Sequence, residues 1–119
     1  MPSYRCSIHI VDVRPGHAPD EVMAAAVAGV ERGHLVEASQ LDLVRGMPIV
    51  RVRYLVESAS QSAEDAEALE AAADLAQAVA AVAVHGEVQV TRRLGGRWYR
   101  VIPVVPAPPR TSPGPCPSG

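Results

Sequence analysis

The chain of 119 residues contains no lysine, no asparagine and no phenylalanine. These are residues with AT-rich codons, so their joint absence reads as the mark of a high-GC gene and not as chemistry. Aromatic residues are scarce, one Trp and three Tyr, which leaves few side chains for stacking on bases. The two cysteines, Cys6 and Cys116, are too few and too far apart for a disulfide framework or a zinc motif. No apolar run approaches the roughly 18–20 residues of a membrane span, and no basic segment leads into an apolar one at the N-terminus. The expected compartment is therefore the cytoplasm, with no membrane partner. Walker, dinucleotide and G-x-S-x-G fingerprints are missing too, and no His/Cys/Asp/Glu spacing matches a metal site, so no cofactor and no metal are expected.

What is present is arginine, alanine and valine. All eleven basic residues are Arg, and 19 Ala with 18 Val make up nearly a third of the chain. This length suits one domain, expected over residues 1–102. Seven of the seventeen residues from Pro103 onward are proline, which reads as an extended tail over 103–119.

The segment Tyr4 to Val13 is β-rich and is stopped by Arg14-Pro15-Gly16. Pro19-Asp20-Glu21 opens a helix with a Val22, Met23, Ala26, Val27, Val30 stripe, and Gly33 is placed to end it. Two strand-like runs, Leu35–Val44 and Ile49–Glu57, then flank Arg45-Gly46-Met47-Pro48. A type II′ turn on Gly46-Met47 would set Val44 opposite Ile49, Leu43 opposite Val50, Asp42 opposite Arg51 and Leu41 opposite Val52. An alanine-rich helix is expected from about Ala63 to Val84, capped by Ser60 or Ser62 and closed by His85-Gly86. Finally Glu87–Leu94 and Arg97–Ile102 flank Gly95-Gly96, a two-residue hairpin signal.

The order β-α-β-β-α-β-β is the split-βαβ arrangement and resembles the ferredoxin-like superfold over residues 3–102. That resemblance implies an α+β sandwich: an antiparallel sheet ordered 4-1-3-2, two helices on one face, and a fifth strand beside the fourth. It implies no function.

Strand alternation sorts the side chains. One face collects Cys6, Ile8, Ile10, Leu41, Leu43, Val50, Val52, Tyr54, Val56, Val88, Val90 and Val101 and must carry the helices. The other collects Arg5, Ser7, His9, Val11, Gln40, Asp42, Arg51, Arg53, Gln89, Thr91 and Arg93, joined by Trp98, Arg100 and Ile102. Asp42 is its one central acid, with Glu57 and Glu87 nearer the rim. The helices carry Asp20, Glu21, Glu31, Glu64, Asp65, Glu67, Glu70 and Asp74 against the single Arg32. A net charge of −2 thus conceals an acidic helix layer and a basic open sheet.

An open sheet face in a lysine-free chain is made polar by arginine in any case. Clustered guanidinium groups are also anion binders. The functional expectation is a non-enzymatic binding or accessory protein that holds an anionic small molecule or acidic macromolecule on Arg5, Arg51, Arg53, Arg93 and Arg100, with His9 and Trp98 accessory. Nucleic acid is a weaker fit, because the only aromatic of the Ile49–Val56 strand, Tyr54, points to the helices. The alternatives are a homodimeric α+β barrel resembling cofactor-independent monooxygenases, with His9 as base, and a structural or regulatory module that meets its partner through a strand edge or the tail. His34 and His85 are expected to cap helix C-termini, and His17 to lie in a loop.

Overall fold

The computed structural model describes residues 1–102, and the proline-rich tail with Cys116 lies outside them. Along the chain run β1 (Ser3–Val13), α1 (Pro19–Glu31), β2 (Leu35–Val44), β3 (Met47–Leu55), α2 (Gln61–Ala80), β4 (Ala83–Leu94) and β5 (Arg97–Arg100). The strands form one antiparallel sheet in the order β2-β3-β1-β4-β5. Val22, Ala26 and Val30 of α1 and Ala68, Leu75 and Val79 of α2 share a single buried cluster with Tyr4, Cys6, Ile8, Val50, Val52, Tyr54 and Val90 of the sheet. Both helices therefore cover one side, and the architecture is α+β.

Local chemistry explains the helix starts. Pro19 occupies the first turn of α1 with Asp20 and Glu21 beside it. In α2 the Ser60 hydroxyl, not Ser62, accepts the Ala63 N–H, while the Glu64 carboxylate reaches back to the Ala59 N–H at 2.8 Å. That exchange satisfies donors the helix cannot pair internally. Gly29 brings the helices together: a Cβ there would stand 2.9 Å from the Asp74 carbonyl oxygen and 3.0 Å from Leu75 Cα.

Several sequence expectations need correction. The β2–β3 turn is Arg45-Gly46, both at positive φ, which is the type I′ geometry whose twist matches that of the strands. Val44 therefore faces Met47, Leu41 faces Val50 and Gln40 faces Arg51, a slip of two residues from the expected register. A slip of two keeps every side chain on its face, so Asp42 still reaches Arg51, now as a diagonal neighbour. Leu41 and Leu43 do not enter the core; they are 57% and 70% exposed, because of β2 only Val36 packs against the core and the rest overhangs. The long helix ends at Ala80, and Ala83 to Gly86 already belong to β4, whose first residue Ala83 lies opposite Val13 of β1. His85 is thus a strand residue opposite Ile10. His34 follows α1, but its imidazole meets Glu67 at 2.9 Å and the edge of Tyr54, so it bridges to α2 and does not cap α1. His17 pairs with Glu21 at 2.7 Å.

On the helix side, one charge cluster is set into the sheet. Arg92 of β4 holds Glu64 at 2.8 Å and Asp65 at 3.2 Å, and the Tyr4 hydroxyl joins both Arg92 and Asp65. Burial works against the Arg92 charge, but Glu64, Tyr4 and Asp65 outweigh it. Glu64 is 7% exposed, and the Ala59 N–H and then Arg92 hold its carboxyl below the usual range. A carboxyl depressed by folding contributes stability above its unfolded pKa and loses it as pH falls through the folded value. The urea midpoint is therefore expected to fall as pH drops below the ordinary value of 4.5, and to fall by less in Glu64→Gln. An equal fall in both proteins would remove Glu64 from the acid response.

Candidate arginine and tryptophan site

The open face is built by alternation on the three central strands. β1 and β3 pair so that Arg5 lies opposite Arg53 and Ser7 opposite Arg51, and Arg5 lies opposite Thr91 on its other side. Gly95 and Gly96, both at positive φ, turn β4 into β5 and set Trp98 opposite Arg93 and Arg100 opposite Thr91. Trp98 becomes the centre of a cationic group. The Arg5 guanidinium carbon lies 4.5 Å from its ring centre, Arg53 5.5 Å and Arg93 5.9 Å, each within cation–π range.

A cavity of about 150 Å³ opens beside this group, lined by Arg5, Arg51, Arg53, Trp98 and the β2 residues Ala38, Ser39 and Gln40. The larger apolar groove of about 400 Å³ between α2 and β4, with Leu69, Ala76, Val88 and Val101 on its walls, lies apart from the cluster and touches only Arg100 of its cations.

Three of the five expected arginines carry a carboxylate. Arg51 Nε donates to Asp42 at 2.7 Å, Arg53 Nε to Glu37 at 3.1 Å, and Arg100 approaches Glu87 at 3.5 Å. Gln40 and then Arg51, which outweigh desolvation, hold the Asp42 carboxyl below its ordinary range. Among the described residues, Arg5 and Arg93 have no carboxylate within ion-pair distance. Arg5 is the most crowded of the set. Burial and then the neighbouring Arg51 cation pull its pKa down, Arg53 adds to this and Asp42 opposes it, and its Nε is buried without an acceptor.

The sequence reading missed Glu37. A bulge between Val36 and Ala38 gives β2 one residue more than β3 and delivers the Glu37 carboxylate to both Arg53 and Ser3. The signal was in the chain: strict alternation places Glu37 and Ser39 in phase with Leu41 and Leu43, where a helix-covered face takes no carboxylate.

His9 does not join the cavity. It lies opposite Ile49 on β3, at a register shift where β4 offers two residues, Gly86 and Glu87, against one. Arg93 touches Trp98 from outside the cavity, and Arg100 stays with Glu87. Cys6 is buried on the helix side, and burial pushes its thiol up to about 12. No group of three or more His, Cys, Asp or Glu among the described residues suits a metal ion, and no helix among them is long and apolar enough to cross a membrane. No family model matches the chain, and no curated protein or solved structure compared with it matches either.

Proposed function

We propose that this chain is a binding protein of ferredoxin-like architecture that takes a small anion on the open face of its sheet. The observation that carries this is Arg5: a guanidinium on the Trp98 ring, beside Arg51 and Arg53 of β3, lacking a carboxylate and lining a cavity. Clustered guanidinium charge without a carboxylate is costly, and an oxyanion in the cavity supplies the missing charge. Arg51 and Arg53 direct the remaining donors, Trp98 forms a wall, and Arg93 and Arg100 supply the outer field.

Binding of inorganic phosphate, and separately of a single-stranded oligonucleotide, at low and moderate salt tests the reading through Trp98 fluorescence and calorimetry. The Arg51→Ala/Arg53→Ala protein is expected to bind phosphate on the order of a hundredfold more weakly, from the loss of two charge-assisted contacts. Its urea midpoint should stay near that of the wild type, because both side chains face solvent and not the core. Equal binding by the two proteins, or none by either, would sink the proposal.

One observation favours a second reading, a sheet-to-sheet homodimer of the α+β-barrel kind with His9 as base. Asp42, Glu37 and Glu87 neutralise three arginines, which lowers the cost of bringing two such faces together. Sedimentation showing a monomer at every concentration would exclude it.

A further inference from the structure

We propose that the anion held by Arg5, Arg51 and Arg53 is a compact tetrahedral dianion, the terminal group of a phosphate monoester or a sulfate, and not the diester backbone of a nucleic acid. This rests on the anion-binding reading above and names the ligand class of that site.

Charge balance comes first. Asp42 and Glu37 neutralise Arg51 and Arg53, so the cavity lining keeps one positive charge without a carboxylate, on Arg5, and Arg93, on Trp98 but outside the lining, adds a second. A dianion matches that excess, whereas a carboxylate or a single diester phosphate supplies half of it.

Donor geometry agrees. The carboxylates of Asp42 and Glu37 occupy the Nε positions of Arg51 and Arg53. They fix the two guanidinium planes from the β2 side and leave the terminal Nη groups for a ligand, apart from one long contact of 3.5 Å from Arg51 to the Ser7 hydroxyl. Asp42 and Glu37 are thereby positioning residues. With Arg5 added from β1, three separate guanidinium forks border one cavity. Three terminal oxygens in a tetrahedron can engage them together, while the two coplanar oxygens of a carboxylate suit a single fork.

Size agrees too. About 150 Å³ is roughly five times the share of a water molecule in the liquid, about 30 Å³. That volume takes an oxyanion and its first linking atoms, with the rest of the ligand outside.

The experiment titrates the full chain with methyl phosphate, dimethyl phosphate, sulfate and acetate, using the single Trp98 as the fluorescent reporter and calorimetry as the second readout. At pH 8 methyl phosphate and sulfate are expected to bind about tenfold more tightly than dimethyl phosphate or acetate, from the second charge. The methyl phosphate dianion takes up a proton and becomes a monoanion near pH 6, so by pH 5 its advantage should vanish while sulfate keeps its own. The charged and titratable groups around the site are Arg5 and His9 on β1, Glu37 and Asp42 on β2, Arg51 and Arg53 on β3, Glu87 and Arg93 on β4 and Arg100 on β5. Any titration among them acts on sulfate as well, so a parallel pH response of sulfate and methyl phosphate would overturn the assignment. Arg5→Gln is expected to abolish the preference for the dianion. Dimethyl phosphate or acetate binding as tightly as methyl phosphate, or an oligonucleotide binding more tightly per phosphate, would overturn the dianion and leave the anion site standing. Binding of none of the four probes would overturn both.

Discussion

A Tyr54→Ala protein is expected to be less stable than the wild type by about 4 kcal/mol, within the range of large aromatic truncations in a core. Tyr54 is fully buried on β3, and three elements depend on its ring. Tyr4 of β1 stacks on it at 6.3 Å, His34 after α1 meets it edge-on at 5.9 Å, and its hydroxyl donates to the Ala68 carbonyl of α2 at 2.7 Å. Truncation leaves a cavity where strand, strand and helix meet, and small domains have only about 5–15 kcal/mol in total. Tyr54→Phe separates packing from hydrogen bonding: it keeps the ring and should cost about 1 kcal/mol. Urea titrations with unchanged slope check both values. A loss in Tyr54→Phe as large as in Tyr54→Ala would transfer the main role to the hydroxyl.

The second large effect is expected at Gly29. Its backbone angles are ordinary, so the demand is for space and not for conformation. A Cβ would meet the Asp74 carbonyl oxygen at 2.9 Å, Leu75 Cα at 3.0 Å and Ala78 Cβ at 3.1 Å. Two of those atoms are backbone, so no rotamer change relieves the contact and α1 must move away from α2. Overpacking of this kind costs about 1–3 kcal/mol. Alanine regains up to about 1 kcal/mol of helix propensity, so Gly29→Ala should lose about 1–2 kcal/mol and Gly29→Val about 3 kcal/mol. Thermal unfolding resolves the series, since each kcal/mol moves the midpoint by roughly 4–8 °C at this size. A Gly29→Ala protein more stable than the wild type would show that the helix contact yields.

Periodicity carried the α+β class because it reports burial, and burial on β1 and β3 alternates without interruption from Tyr4 to Ile10 and from Val50 to Val56. It failed where alternation breaks. The bulge at Glu37, the paired register shifts around His9 and Val11, and the overhang that exposes Leu41 and Leu43 come from how strands meet, which a single strand cannot encode. The Ala81–Val84 stretch is ambiguous because alanine and valine alternate through it with no polar residue to mark a phase. Arg5, Arg51, Arg53 and Trp98 could be grouped from parity alone. Asp42 could be set beside Arg51 in the same way, but Glu37 could not, since it reaches Arg53 only by way of the bulge. Arg92 likewise finds Glu64 and Asp65 only once α2 is laid on β4.

The strand nearest the N-terminus occupies the centre of the sheet, and this constrains how the molecule can form. β1 bonds β3 on one side and β4 on the other, with Tyr4 opposite Arg92. Its second edge therefore has no partner until almost all of the described chain exists. During synthesis β1 must wait for β4, which follows it by two helices and two strands. β1 carries Tyr4, Cys6, Ile8 and Ile10 toward a core that is not yet there. Such non-local closure is slow and leaves apolar strand surface open to other chains meanwhile. Shortened chains ending before β4 should consequently aggregate and not fold, and a growing chain stays open to the same contacts until β4 has emerged.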